Sequence, residues 1–122
     1  TPILSLQNGV DNGARIRAAA PGLVALAGMV PFNVTLDPDA SGRLAARRTT
    51  SGVLHAEEHA ATRAVATLFE QAGLPLRRVS DIASVQWGKL LLNLNNPVNA
   101  LSGLPLREEL MDRDYRRVLA LL

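Results

Sequence analysis

Short apolar blocks separated by turn residues occupy the first half of the chain. An apolar run without alternation is typical of a buried strand, whereas apolar residues every three or four positions indicate a helix. Gly and Pro mark where one block ends and the next begins. The pattern predicts, in order, a strand over 1–9, a short helix over 11–20, one or two strands over 23–36, and a hairpin partner over 43–50.

The second half of the chain changes to a helical period. Apolar residues from Ala61 to Ala72 fall at helical spacing, and Gly73 stands where a C-terminal cap glycine belongs. A short strand over 74–79 precedes Asp81, which can cap a long helix reaching about Leu101. A short helix over 106–110 and a last helix from about residue 112 complete the pattern. The change from mixed α/β to helical segments predicts a domain boundary near residue 80.

The helix that begins after Asp81 carries a narrow polar stripe on an apolar background. With about 100° per residue, Gln86, Lys89, Asn93 and Asn96 fall within an arc of roughly 80°. Unpaired amides and an ammonium group are costly in a dry interior, so the stripe predicts a wet cleft or a polar ligand. A solvated helix face is the alternative interpretation. Neighbouring Trp87 is interpreted as a core anchor.

The end of this helix breaks several local rules. Four asparagines lie between Asn93 and Asn99, and asparagine is a poor helix former. Pro97 removes a backbone donor and would clash with the carbonyl of Asn93 in a continuous helix. Such local inconsistency is expected where a functional site is built.

Composition narrows the classes of function. The chain has 13 Lys+Arg against 11 Asp+Glu, and only two Phe, one Trp and one Tyr that could stack on bases, so we predict no nucleic-acid partner. It has no cysteine for a disulfide framework and no apolar run long enough for a membrane helix. We therefore expect a cytoplasmic protein without a membrane partner.

Several segments resemble the ketopantoate reductase family. The segment 87–101, with its lysine and asparagines, resembles the start of the helical domain of that family and is the most specific part of the resemblance. Gln7-Asn8-Gly9 resembles a Gln-Asn-Gly segment in the nucleotide-binding domain, and the segments 30–34 and 72–82 are similar to that family as well. The resemblance covers essentially the whole chain in the expected order.

This resemblance implies a fold that is α/β followed by all-α. Residues 1–80 would form the C-terminal part of a Rossmann-type NAD(P)-binding domain, and residues 81–122 the N-terminal part of a helical substrate and dimerisation domain. The implied activity is the NADPH-dependent reduction of 2-dehydropantoate to pantoate in pantothenate and coenzyme A biosynthesis. The implied partners are a small-molecule 2-keto acid and a second copy of the protein.

The resemblance also implies roles for individual residues. Lys89 matches the lysine that protonates the developing alkoxide, and an ammonium group suits that task because it stabilises negative charge and supplies the proton. Asn93 matches an asparagine that binds substrate. The second substrate asparagine would fall at Pro97, so that role is carried to Asn96. Asn8 matches the residue near the nicotinamide, at the end of a strand where open α/β sheets bind ligands.

Two parts of the family pattern are missing from these residues. The Gly-x-Gly-x-x-Gly fingerprint is absent, and Glu108 and Glu109 come too early to match the glutamate that completes the family's site. Both ends of the chain are apolar and lack caps. We therefore expect a central excerpt of a longer enzyme, inactive by itself.

Three alternatives stay open. A relative that reduces a different 2-keto acid would share the same lysine helix. His55, Glu58 and His59 match the His-x-x-Glu-His pattern, which predicts a zinc peptidase if both histidines lie on one helix. The apolar faces of the last two helices would also suit a non-catalytic interaction module. We expect no metal in the reductase interpretation.

Overall fold

Six strands and six helices form the computed structural model, which describes residues 1–122. Their order is β1 (Pro2–Ser5), α1 (Asn12–Ala19), β2 (Val24–Met29), β3 (Val34–Pro38), β4 (Leu44–Arg48), β5 (Leu54–Glu57), α2 (Ala60–Gln71), β6 (Leu76–Val79), α3 (Ile82–Asn93), α4 (Asn95–Ser102), α5 (Leu106–Met111) and α6 (Arg113–Leu119). None of these helices is long and apolar enough to cross a membrane. The fold class predicted from the sequence, α/β followed by helices, is confirmed.

Four strands form one mixed sheet in the order β1-β2-β5-β6. β1 is parallel to β2, β2 is antiparallel to β5, and β5 is parallel to β6. The carboxyl ends of β1 and β2 therefore lie at the same edge of the sheet as the amino end of β5. The buried apolar residues of the sheet belong to its two central strands: Ala25, Leu26, Ala27, Leu54 and Ala56.

Helices α1 and α2 cover opposite faces of the sheet. A Cβ built at Gly13 of α1 would lie 3.6 Å from the Cβ of Ala27. Leu26, the preceding residue of β2, lines a cavity with Ala61 and Phe69 of α2. Because successive side chains of a strand point to opposite faces, the two helices lie on different sides of β2.

The predicted hairpin is confirmed as a separate two-stranded sheet. β3 pairs antiparallel with β4, from Val34 opposite Arg48 to Pro38 opposite Leu44. The turn between them is closed by Asp39, whose carboxylate accepts hydrogen bonds from Ser41 and from the backbone N–H of Arg43. These bonds hold the pKa of Asp39 below its ordinary value, the Ser41 side chain having the largest effect.

Helix α3 crosses the sheet from one edge to the other. β6 ends at the edge opposite the carboxyl ends of β1 and β2, and α3 begins three residues later. Asp81 caps it, accepting a 3.0 Å hydrogen bond from the backbone N–H of Ser84. The helix then contacts β2 and β5 and brings its C-terminal end to the edge where β1 and β2 end. The predicted domain boundary at residue 80 stays a prediction.

Three expectations about these elements were wrong. The long helix predicted to reach Leu101 is two helices, α3 and α4, separated at Leu94. The break places Pro97 at the third residue of α4. Backbone N–H groups in the first turn of a helix have no acceptor within that helix, so proline loses no helical hydrogen bond there. The first strand ends at Ser5 and not at residue 9. Trp87 is not a core anchor in this chain, because 55% of its surface is exposed.

Candidate functional site

A cleft of about 390 Å³ opens at the carboxyl ends of β1 and β2. The polar part of its lining consists of all four residues singled out from the sequence, Asn8, Lys89, Asn93 and Asn96, together with Asn33. The apolar part of its lining is supplied by Leu6, Val30, Phe32 and Val34. Residues from three distant parts of the chain therefore surround one cleft.

Asn8 reaches the cleft from the loop after β1. Its backbone carbonyl accepts a 2.8 Å hydrogen bond from Nδ2 of Asn12, which ties the loop to the start of α1. Its side-chain Oδ1 lies 3.5 Å from Nδ2 of Asn93, at the end of α3. Gly9 follows with φ of 106°, a conformation that side chains disfavour. The turn thus directs the chain away from the sheet and leaves the Asn8 side chain in the cleft.

Gln86 fixes the helix that carries Lys89. Its side chain is buried, and its Nε2 donates a 3.2 Å hydrogen bond to the backbone carbonyl of Gly28 on β2. The sequence placed Gln86 in the same polar stripe as Lys89. In the structure its amide is occupied by the sheet instead, so Gln86 serves as an anchor one turn before Lys89.

Lys89 is half-buried at the cleft and takes part in none of the five ion pairs of the chain. It is also the only lysine, because every other member of the 13 Lys+Arg is an arginine. An ammonium group can release a proton, whereas a guanidinium group in a protein does not. Lys89 therefore differs chemically from every other cationic side chain of the chain, a feature overlooked in the sequence.

Asn93 and Asn96 lie on either side of the helix break. Asn93 is the last residue of α3 and is half-buried, whereas Asn96 lies in the first turn of α4 and is exposed. Asn95 lines an apolar groove, and its Oδ1 is buried without a partner. The break at Leu94 thus leaves two amide side chains at the cleft.

The wall opposite α3 comes from the connection between β2 and β3. Two hydrogen bonds hold it: the N–H of Asn33 donates to the side-chain Oγ1 of Thr50 at 2.8 Å, and the N–H of Thr49 donates to the backbone carbonyl of Asn33 at 2.9 Å. The guanidinium carbon of Arg48 lies 5.1 Å from the centre of the Phe32 ring. No role was predicted for these individual residues, since they reach the cleft only through the hairpin fold.

The zinc alternative required two histidines on one helix, and the structure does not place them so. His55 lies in β5, which the sequence analysis missed, and His59 is the N-cap of α2, accepting a hydrogen bond from the N–H of Ala61. The carboxylate of Glu58 pairs with Arg63 and Arg78, and the hydrogen bond from Arg63 is the main cause that lowers its pKa. No group of three potential metal ligands occurs in the chain.

The arrangement suits a small anionic ligand with a carbonyl group. The amides of Asn8, Asn93 and Asn96 offer both donors and acceptors, and the Lys89 ammonium offers positive charge and a proton. The apolar residues across the cleft suit an aliphatic side chain.

The chain is similar in structure to solved ketopantoate reductases. The PanE/ApbA family ketopantoate reductase from Ralstonia eutropha has 26% identity and a TM-score of 0.78, covering 98% of this chain and 39% of that one. The 2-dehydropantoate 2-reductase from Methylococcus capsulatus has 25% identity and a TM-score of 0.67, covering 84% of this chain and 34% of that one. The corresponding enzyme from Porphyromonas gingivalis, at 21% identity with a TM-score of 0.69 over 93% of this chain and 41% of that one, supports the fold alone.

No protein-family model and no curated protein matches the chain. The structural comparisons nevertheless confirm the resemblance to the ketopantoate reductase family that the sequence indicated. The chain spans about two fifths of the length of these relatives, or somewhat less.

Proposed function

Given this structural similarity to the ketopantoate reductases, we propose that the chain forms the central part of an NADPH-dependent reductase of 2-keto acids, with 2-dehydropantoate as substrate. The observation that supports the proposal is the meeting of Asn8, Lys89, Asn93 and Asn96 around one cleft. Relatives named as reducing this substrate have the same fold. Other 2-keto acids are the alternative substrates.

Lys89 has the central chemical role in this proposal. As the keto carbon gains a hydride, its oxygen becomes an alkoxide, and the nearby ammonium stabilises that charge and then transfers a proton from Nζ to the oxygen. The products are a secondary alcohol and a neutral amine, which water reprotonates. Asn93 and Asn96 bind and orient the substrate through their amides, so that its carbonyl oxygen faces Lys89.

The residues at the end of β1 fit the nicotinamide end of a dinucleotide. The backbone carbonyl oxygen of Asn8 accepts a hydrogen bond from Asn12. The Asn8 side chain makes only a long contact with Asn93, which leaves its side-chain amide free to bind a carboxamide. Bound NADPH supplies the hydride. The phosphate-binding fingerprint is not among these residues, so we assign this chain only the nicotinamide end of the cofactor site.

The test is NADPH oxidation by the full-length protein with 2-dehydropantoate, beside the variants Lys89→Ala and Lys89→Arg. We expect kcat to fall by about 100-fold or more in both, since proton donation by a positioned group contributes on the order of 10² to 10⁴. Lys89→Arg is the informative control, because it keeps the positive charge and cannot give up a proton. Full activity of Lys89→Arg would contradict the proposed role.

A second copy of the protein is the partner that we propose for the helical part. An apolar groove of about 540 Å³ lies between α3–α4 and α5–α6, lined largely by leucines: Leu91, Leu92, Leu94, Leu106, Leu110, Leu119 and Leu122. Such a surface also suits the non-catalytic interaction module considered above. Sedimentation velocity of the full-length protein tests this proposal, which predicts a dimer; a monomer at all concentrations would refute it.

A further inference from the structure

Two cavities of different character share a single wall. The polar cleft that contains Lys89 lies on one side. On the other side is a groove of about 470 Å³ whose lining is almost entirely apolar. The wall consists of the residues that line both cavities, namely Leu6, Val30, Phe32 and Val34. The remaining lining of the groove comes from β4, β5 and the region of α2: Ala46, Arg48, Leu54, Phe69 and Leu74.

Phe32 is the largest side chain in this wall, and the chain on either side of it is fixed. On one side, Gly52 packs so closely on Pro31 that a Cβ added at Gly52 would lie 2.6 Å from the proline ring. On the other side, the Asn33 N–H is bound to Thr50. The half-buried ring itself is covered by the guanidinium of Arg48, at a distance within the range of a cation–π contact.

We propose that Phe32 is a specificity-determining residue that limits the length of the substrate side chain. The proposal rests on the proposed reductase function, in which Lys89, Asn93 and Asn96 hold the keto and carboxylate end. The side chain of the 2-keto acid then points toward the apolar wall. With the phenyl ring in place, the substrate side chain meets the wall and cannot enter the groove behind it.

The groove behind Phe32 is large enough to accept a longer group. Its volume of about 470 Å³ lies within the range of small-molecule pockets, roughly 300 to 1,000 Å³. Its lining would receive an extended alkyl chain or an aromatic ring without leaving a polar group unpaired. Removing the phenyl ring therefore joins the two cavities and creates room for long apolar 2-keto acids.

The experiment measures kcat/KM of the full-length protein for two 2-keto acids, 3-methyl-2-oxobutanoate and phenylpyruvate. In Phe32→Ala we expect the ratio to shift toward phenylpyruvate by about tenfold or more, because even one methylene in a pocket changes discrimination by about 10- to 200-fold. Arg48→Met should shift it in the same direction by less, and Arg48→Lys, which keeps the cation, should restore the original ratio. A ratio in Phe32→Ala within twofold of the wild type would overturn the proposal.

Phe69→Ala is the matched control, because Phe69 is the only other phenylalanine and lines the groove without reaching the cleft. It should leave the ratio unchanged, and an equal shift in both variants would overturn the role of Phe32. Binding of N-isopropyl- and N-benzyloxamate, unreactive analogues of 2-keto acids, is measured in parallel by calorimetry. If the wild type reduces neither of these acids nor 2-dehydropantoate, the reductase function fails, but tighter N-benzyloxamate binding by Phe32→Ala still supports Phe32 as the residue that closes the groove. Equal binding by the two proteins overturns it.

Discussion

The stability of the fold and the position of Lys89 both depend on the hydrogen bond between Gln86 and Gly28. Gln86 is buried on α3, and its Nε2 lies 3.2 Å from the carbonyl oxygen of Gly28 on β2. The replacement Gln86→Leu keeps a similar volume and removes the donor. The carbonyl of Gly28 then faces an apolar side chain instead of an amide.

The cost follows from the orphaned carbonyl. Leaving a buried acceptor without its donor costs about 1–3 kcal/mol, and the added apolar contacts of leucine offset part of this. We therefore expect the free energy of unfolding to fall by about 1–2 kcal/mol. Gln86→Glu should be more harmful at neutral pH, because its carboxylate cannot donate to the carbonyl. At low pH the introduced carboxyl is protonated, donates to the carbonyl, and recovers stability.

The effect on catalysis should exceed the effect on stability. Lys89 lies one turn after Gln86, and a misplacement of about 1 Å at a reacting group can lower the rate by about 100-fold. We expect kcat of Gln86→Leu to fall by roughly tenfold to 100-fold. Urea unfolding and NADPH oxidation of the full-length protein measure the two quantities, with Gln71→Leu at the exposed end of α2 as control. A Gln86→Leu protein with wild-type stability and wild-type kcat would refute this reasoning.

Two further predictions concern α3 and β2. The Ser84 hydroxyl and N–H hold the pKa of Asp81 below its ordinary 3.8, so the cap stabilises the fold above that pH and is lost as pH falls through the lower folded value. The difference in melting temperature between wild type and Asp81→Ala should be full at neutral pH and shrink below pH 3.8; a constant difference would contradict this. Gly28→Ala would place a Cβ 2.7 Å from Leu6 and should cost about 1–3 kcal/mol in urea unfolding. Gly88→Ala meets nothing within 4 Å and should instead stabilise α3 by about 0.5–1 kcal/mol, so equal effects would refute the steric argument.

Elements with strong local signals were predictable from the sequence. Helix α2 has apolar residues at helical spacing and ends before Gly73, whose φ of 71° is the left-handed conformation expected of a cap glycine. The hairpin β3–β4 was predicted because the turn-forming residues over 37–42, rich in Asp, Pro, Ser and Gly, separate its two strands. β5 was missed because its antiparallel pairing with β2 joins positions far apart in the sequence.

The polar stripe of α3 was predicted with the correct period, but the burial of its neighbours was wrong. Gln86 faces the sheet, so Trp87, about 100° farther around the helix, points away from it. Leu91, one turn after Trp87, is 65% exposed on the same side. Periodicity identifies which residues share a face, whereas the direction of that face depends on contacts that only the folded chain contains. Phe32 illustrates the same limit, because its place at the cleft depends on the hairpin.

The position of the cleft follows from the register between α3 and β2. Gln86 is anchored at Gly28, the second-last residue of β2. With a rise of about 1.5 Å per residue, Lys89 lies roughly 4.5 Å and Asn93 roughly 10 Å farther along the helix axis. Both residues therefore reach the edge where β1 and β2 end and where Asn8 is located. The polar stripe thus supplies an anchor at one end and cleft residues at the other. Its polar groups are paired with the sheet at Gln86 and open to the cleft at Lys89 and Asn93. One residue inserted between Gln86 and Lys89 would rotate Lys89 by about 100° and separate the anchor from the cleft.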